Sequence, residues 1–166
     1  MMMNRKYIVA LITVMVLGAC RKEDIAVHSG FTRIDYKVED PMEWANISFE
    51  LDNTHDLMRY THCQITLIAG EEAADLSLTI MLEDENGYRT DQSPFYLTTN
   101  QIIKDNQSHT YSFEFGNSLQ STGSPDGEID IRTFKRVLIY INPGILGKAG
   151  EGYFWLDKIS FTASEE

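Results

Sequence analysis

From residue 31 onward the apolar residues recur with a period of two, and this periodicity restricts the fold more than any other feature. Side chains of a strand alternate between two faces, whereas those of a helix return to one face near every 3.6 residues. In 76–82, Leu76, Leu78, Ile80 and Leu82 share one face. In 109–115, Tyr111, Phe113 and Phe115 share one face while Ser112 and Glu114 occupy the other. The expected strands are 31–38, 46–51, 63–68, 76–82, 95–98, 109–115, 136–141 and 153–161. Val137, Ile139 and Ile141 alternate with Leu138 and Tyr140, so 136–141 is apolar on both faces and belongs at the centre of a sheet. Asp52-Asn53, Ala69-Gly70-Glu71, Glu85-Asn86-Gly87, Asp105-Asn106, Ser124-Pro125-Asp126-Gly127 and Asn142-Pro143-Gly144 supply turns between them. About eight short strands at this spacing predict an all-β domain, an antiparallel β-sandwich or jelly roll. Short helical turns fit 56–60 and 100–104.

Asp56-Leu57-Met58-Arg59-Tyr60 and Asp130-Ile131-Arg132-Thr133-Phe134 echo one another, each feeding a strong strand. Such a segment predicts an Asp capping a short turn, with its aliphatic and aromatic residues anchored in the core.

The chain of 166 residues suits one domain, and its 14 basic against 25 acidic residues give a net charge of −11. That balance argues against nucleic acid as a partner, because a phosphate backbone requires a Lys/Arg surface. No Gly-rich phosphate loop, GxSxG, HExxH or CxxC is present, and the four His show no metal-ligand spacing. Among so many acids a pair can always be found, so a two-carboxylate hydrolase leaves no distinctive signal. The expectation is a protein that is not an enzyme.

Residues 1–20 read MMMNRKYIVALITVMVLGAC: two basic residues, an apolar run too short for the ~20 residues of a spanning helix, then small residues. This is the layout of a secretory signal peptide, and Leu17-Gly18-Ala19-Cys20 resembles the lipobox of bacterial lipoproteins. The resemblance implies cleavage before Cys20 and a diacylglyceryl thioether on its sulfur. Removal of 19 residues, two of them basic, leaves 147 residues with a charge of −13. The expected organisation is a lipoprotein signal peptide at 1–19, a lipidated tether at 20–30 and a β-sandwich domain at 31–166. Arg21, in the position where Asp retains well-studied lipoproteins in the inner membrane, implies an outer-membrane anchor. Glu23-Asp24 weakly resembles a surface-export signal and equally suits a solvated linker. Cys63 lies in the alternation Cys63, Ile65, Leu67 and is expected to be a buried, inert thiol.

Together these segments resemble the galactose-binding-like jelly roll of many carbohydrate-binding modules. The carrying residues are Asp56-Leu57…Tyr60 before strand 63–68, Leu78–Leu82 with Asp84…Gly87, Tyr111–Phe115, Asp130–Ile141, and Gly150-Glu151-Gly152-Tyr153-Phe154-Trp155-Leu156-Asp157-Lys158-Ile159. Lys158 departs from the second acid usual in that family's last strand. The resemblance implies a structural Ca²⁺ held by Asp157 with an acid of the first strands, Glu39 or Glu50. The other reading of Asp157 is a strand-end residue bonded to backbone N–H groups. Asp126-Gly127-Glu128-x-Asp130 lacks the EF-hand spacing and suits a solvated turn.

Sugar binding needs rings to stack on a pyranose face and polar groups to orient hydroxyls. Trp44, Trp155, Tyr88, Tyr96, Tyr111 and Tyr140 are the rings available. Trp44 and Tyr88 sit in polar or turn contexts and are the first choices, with Asn46, Asp84 and Asn86 as hydroxyl-orienting neighbours. The expected function is a non-catalytic, lipid-anchored glycan-binding module preferring neutral or cationic glycans. The alternative is a structural lipoprotein that holds an envelope protein through the same sandwich.

Overall fold

The computed structural model describes residues 24–40, 45–73, 75–90, 95–114, 129–141 and 150–163. Its strands are β1 (Ile25–Val38), β2 (Ala45–His55), β3 (His62–Ile68), β4 (Leu78–Asp84), β5 (Tyr96–Leu97), β6 (Ser108–Glu114), β7 (Phe134–Ile141) and β8 (Gly150–Thr162). They form two four-stranded antiparallel sheets, ordered β1-β8-β3-β6 and β2-β7-β4-β5. All the pairings are antiparallel, and the chain passes repeatedly from one sheet to the other, as in a jelly roll.

The period of two predicted the buried faces. Leu78, Ile80 and Leu82 of β4, Val137, Ile139 and Ile141 of β7, and Cys63, Ile65 and Leu67 of β3 meet between the sheets and are almost wholly buried. β7 is central, as its two apolar faces required. Phe134 and Phe161 bring the two sheets together edge to face, with ring centroids 4.9 Å apart.

Several boundaries differ from the sequence reading, two of them at β1 and β8. β1 begins at Ile25, inside the segment expected to be tether, because 25–29 finds partners on the end of β8, from Ile25 opposite Phe161 to Ser29 opposite Lys158. β8 runs to Thr162, so Asp157 lies well inside the strand. There Gly30 and Phe31 oppose the single residue Asp157, and Gly30 takes a positive φ of 102° suited to glycine. Register also slips between β3 and β8 at this point. The bulge changes the phase of β8, so Phe154 and Leu156 face the core before it, and Ile159 and Phe161 after it.

The two echoing segments meet. Met58 N–H donates to Asp56 Oδ1 at 2.8 Å and Arg132 N–H to Asp130 Oδ1 at 3.0 Å, the expected caps. Leu57 N–H then donates to the carbonyl of Ile131 at 2.9 Å.

Candidate functional site

The register of the second sheet gathers polar and aromatic residues on its outer face. Directly opposed residues of an antiparallel pair project to the same side. Asn46 opposes Tyr140, Tyr140 opposes Thr79, and Thr79 opposes Tyr96, which makes one row across all four strands. The next row is Ser48, Leu138 and Met81. The third is Glu50, Arg136, Glu83 and Arg89. The face therefore grades from two tyrosines, through an apolar band, to a charged row.

The charged row is locked. Glu83 is only 3% exposed, yet carries a carboxylate bonded by Arg136 and by Arg89, the latter at 2.6 Å. A buried carboxylate needs such partners, since desolvation without them is costly. Arg136 also donates to Glu50 at 3.0 Å, and this bond holds the Glu50 carboxyl below its ordinary pKa. The hydrogen bond to Glu83 raises the Arg89 pKa. Arg89 Nη1 reaches back to the Tyr140 hydroxyl at 3.2 Å, tying the charged row to the aromatic one. Tyr140 and Tyr96 are half-buried, and between them Thr79 is fully buried with a hydroxyl that has no hydrogen-bond partner among the described residues.

Of the expected sugar-binding residues that the structure describes, Asn46 alone falls in this arrangement, exposed beside Tyr140. Asp84 does not. Its carboxylate is fully buried and accepts the backbone N–H groups of Asn86 at 2.9 Å, Tyr88 at 3.0 Å and Asp130 at 3.0 Å. It shapes the turn and leaves nothing for a hydroxyl. Asn86 is exposed on that turn, and Tyr88 packs against the core. Asp84 lies five residues along β4 from Thr79, roughly 17 Å at ~3.4 Å per residue, so the turn and the aromatic row are separate places. Trp44 and Cys20 lie outside the described residues. Tyr140 and Tyr96 were among the available rings, but only strand pairing could reveal that they share a row.

The residues present do not fit the expected calcium site. Glu39 follows the end of β1, where Val38 opposes Gly150, and Asp157 is seven residues further along β8, roughly 20 Å away. Glu39 is exposed and paired with Lys37 at 2.6 Å. Glu50 belongs to the other sheet and is held by Arg136. Among the described residues no group of three His, Cys, Asp or Glu side chains is placed to hold a metal. Cys63 is wholly buried, and burial pushes its thiol pKa to about 12.

No protein-family model matches the sequence, and no curated protein matches it significantly. Among solved structures the chain is similar to the family 11 carbohydrate-binding module of the cellulosomal cellulase Lic26A-Cel5E of Clostridium thermocellum, with a TM-score of 0.51, 12% identity, and coverage of 91% of this chain and 92% of that one. It is also similar to part of an agarase, AgWH50C, with a TM-score of 0.50, 13% identity, and coverage of 87% of this chain and 23% of the other. At these identities the likeness is one of fold, and the fold shared with the binding module is the antiparallel jelly roll described above.

Proposed function

We propose that this chain is a non-catalytic, lipid-anchored glycan-binding module of the bacterial envelope, and that the outer face of the β2-β7-β4-β5 sheet is its ligand platform. The observation that carries this reading is the row Asn46, Tyr140, Thr79, Tyr96, in which two half-buried rings stand on either side of the buried Thr79 and the exposed amide of Asn46 ends the row. A pyranose offers an apolar C–H face to such rings and hydroxyls to such polar groups. The likeness of the fold to a carbohydrate-binding module supports the same reading. The net charge of −11 favours a neutral or cationic glycan over an anionic one. The lipobox-like Leu17-Gly18-Ala19-Cys20 supports the anchor, and Arg21 supports the outer membrane.

The test is a glycan-array screen followed by titration calorimetry with the best glycan, using Tyr140→Ala and Tyr96→Ala variants of unchanged melting temperature. The expected affinity is roughly micromolar to millimolar, about −8 to −4 kcal/mol. Each variant should weaken it severalfold, as loss of a stacked ring worth ~0.5–1.5 kcal/mol requires. Unchanged affinity in both variants rejects the platform, and a blank screen across neutral and cationic glycans rejects the function.

A further inference from the structure

The opposite sheet carries a second concentration of aromatic side chains, around a cavity of about 390 Å³. That volume lies within the ~300–1,000 Å³ of ordinary small-molecule sites. Phe31 and Trp155 line it and stand 63% and 38% exposed, although large rings usually find cover. The bulge opposite Asp157 carries Phe31, and strand register puts Trp155 opposite both Arg33 and Ile68 on the outer face.

The polar side of the cavity is built with the same care. The Tyr153 ring is fixed on one side by Arg33, whose guanidinium lies 3.8 Å from the ring centroid and is itself paired with Asp35 at 2.8 Å. The neighbouring Glu72 carboxylate raises the Tyr153 hydroxyl above its ordinary pKa. Gly70 forms the floor, and a Cβ there would come within 2.3 Å of Asn106 Oδ1 and 2.6 Å of Glu72 Oε2. A Cβ at Gly152 would come within 2.0 Å of the Glu72 carbonyl, so that glycine lets the 3-10 turn Glu71–Ala73 press against β8. Two glycines thus bring two acceptor oxygens together beside exposed rings.

We propose that this cavity is a second saccharide site, independent of the tyrosine row, which takes a pyranose of a neutral or amine-bearing chain. Trp155 stacks on the C–H face, with Phe31 at its edge. Glu72 and Asn106 accept from hydroxyls or from an ammonium. An apolar side chain in the same place would desolvate both acceptors without replacing their bonds, and an anionic sugar would meet the Glu72 carboxylate. The assignment stands on these residues and not on the tyrosine row.

The test follows Trp155 itself in the full chain, by N-bromosuccinimide oxidation read peptide by peptide. Cellotetraose and the glucosamine tetramer at millimolar concentration should each slow oxidation of Trp155 severalfold, and tetragalacturonate should not. Protection should persist in Tyr140→Ala, even if the tyrosine row binds nothing. Glu72→Gln should weaken protection by the glucosamine tetramer more than by cellotetraose. Trp155→Ala, an exposed substitution expected to leave the melting temperature unchanged, should cost about twofold to tenfold in the affinity of this site. Unaltered Trp155 oxidation with both tetrasaccharides overturns the proposal. So does protection that disappears in Tyr140→Ala, or protection that grows with protein concentration in the absence of sugar, which would make the occupant a second copy of the chain.

Discussion

The carboxylate of Asp84 accepts the backbone N–H of Asp130 at 3.0 Å, joining the tip of β4 to the capped turn that starts β7. Its other oxygen holds the N–H groups of Asn86 and Tyr88. Asp84→Ala therefore removes, from a fully buried carboxylate, the acceptor of three part-buried backbone donors. Hydrogen bonds to a charged acceptor contribute about 1.5–3 kcal/mol each and are not additive. The expected loss is about 3 kcal/mol or more, a fall in melting temperature of roughly 10 °C. Asp84→Asn keeps one acceptor and should lose less. A melting temperature for Asp84→Ala within 2 °C of the parent would contradict the role.

Glu83 tests the locked row. Glu83→Gln leaves Arg89 and Arg136 without the buried charge between them. Breaking a buried ion pair costs about 3–5 kcal/mol, and because both arginines are partly exposed the expected loss is nearer ~2 kcal/mol. Arg89→Ala should have a second consequence: the Tyr140 hydroxyl loses the bond from Arg89, so the proposed glycan affinity should fall even where the melting temperature holds. Denaturant unfolding together with calorimetry separates the two effects.

The acid side of the stability profile follows from three carboxylates. The hydrogen bond from Arg132 lowers the Asp130 pKa, that from Arg136 lowers Glu50, and that from His109 lowers Asp105. A group whose folded pKa is depressed stabilises above its unfolded pKa and loses that contribution as pH falls through the folded value. Stability should be level from neutrality to about pH 5 and then decline as pH falls further through the carboxylate range. Asp130→Asn should make the decline shallower. Melting temperatures measured from pH 7 to pH 3 check this, and a rise toward acid would refute it.

The strands were legible because each reports its own buried face: Leu78, Ile80 and Leu82 could be read without knowing their neighbours. The candidate platform was not, because Asn46, Thr79, Tyr96 and Tyr140 meet only through pairings between distant segments. The turn Asp84–Gly87 looked like a ligand site because its residues are polar. Polarity there serves the turn itself, whose N–H groups need an acceptor. The bulge at Asp157 did leave a trace, since Leu156 and Ile159 cannot share a face in an unbroken alternation. The alternative reading of Asp157 as a strand-end residue arose because that phase change was not followed through.

The proposed anchor rests on one thiol. Cys20 and Cys63 are the two cysteines of the chain, and Cys63 is wholly buried with its pKa pushed to about 12, so it should stay protonated and unmodified in the folded protein. Radiolabelled palmitate fed to an expressing bacterium should enter the parent and be absent from Cys20→Ser, while Cys63→Ala keeps its label. Folded Cys20→Ser should not react with dithionitrobenzoate at pH 8 until denaturant is added. Arg21 makes the destination testable: the parent should fractionate with the outer membrane, and Arg21→Asp should move it to the inner one. Palmitate in Cys20→Ser would refute the lipid anchor, and identical fractionation of Arg21→Asp and the parent would refute the sorting role of Arg21.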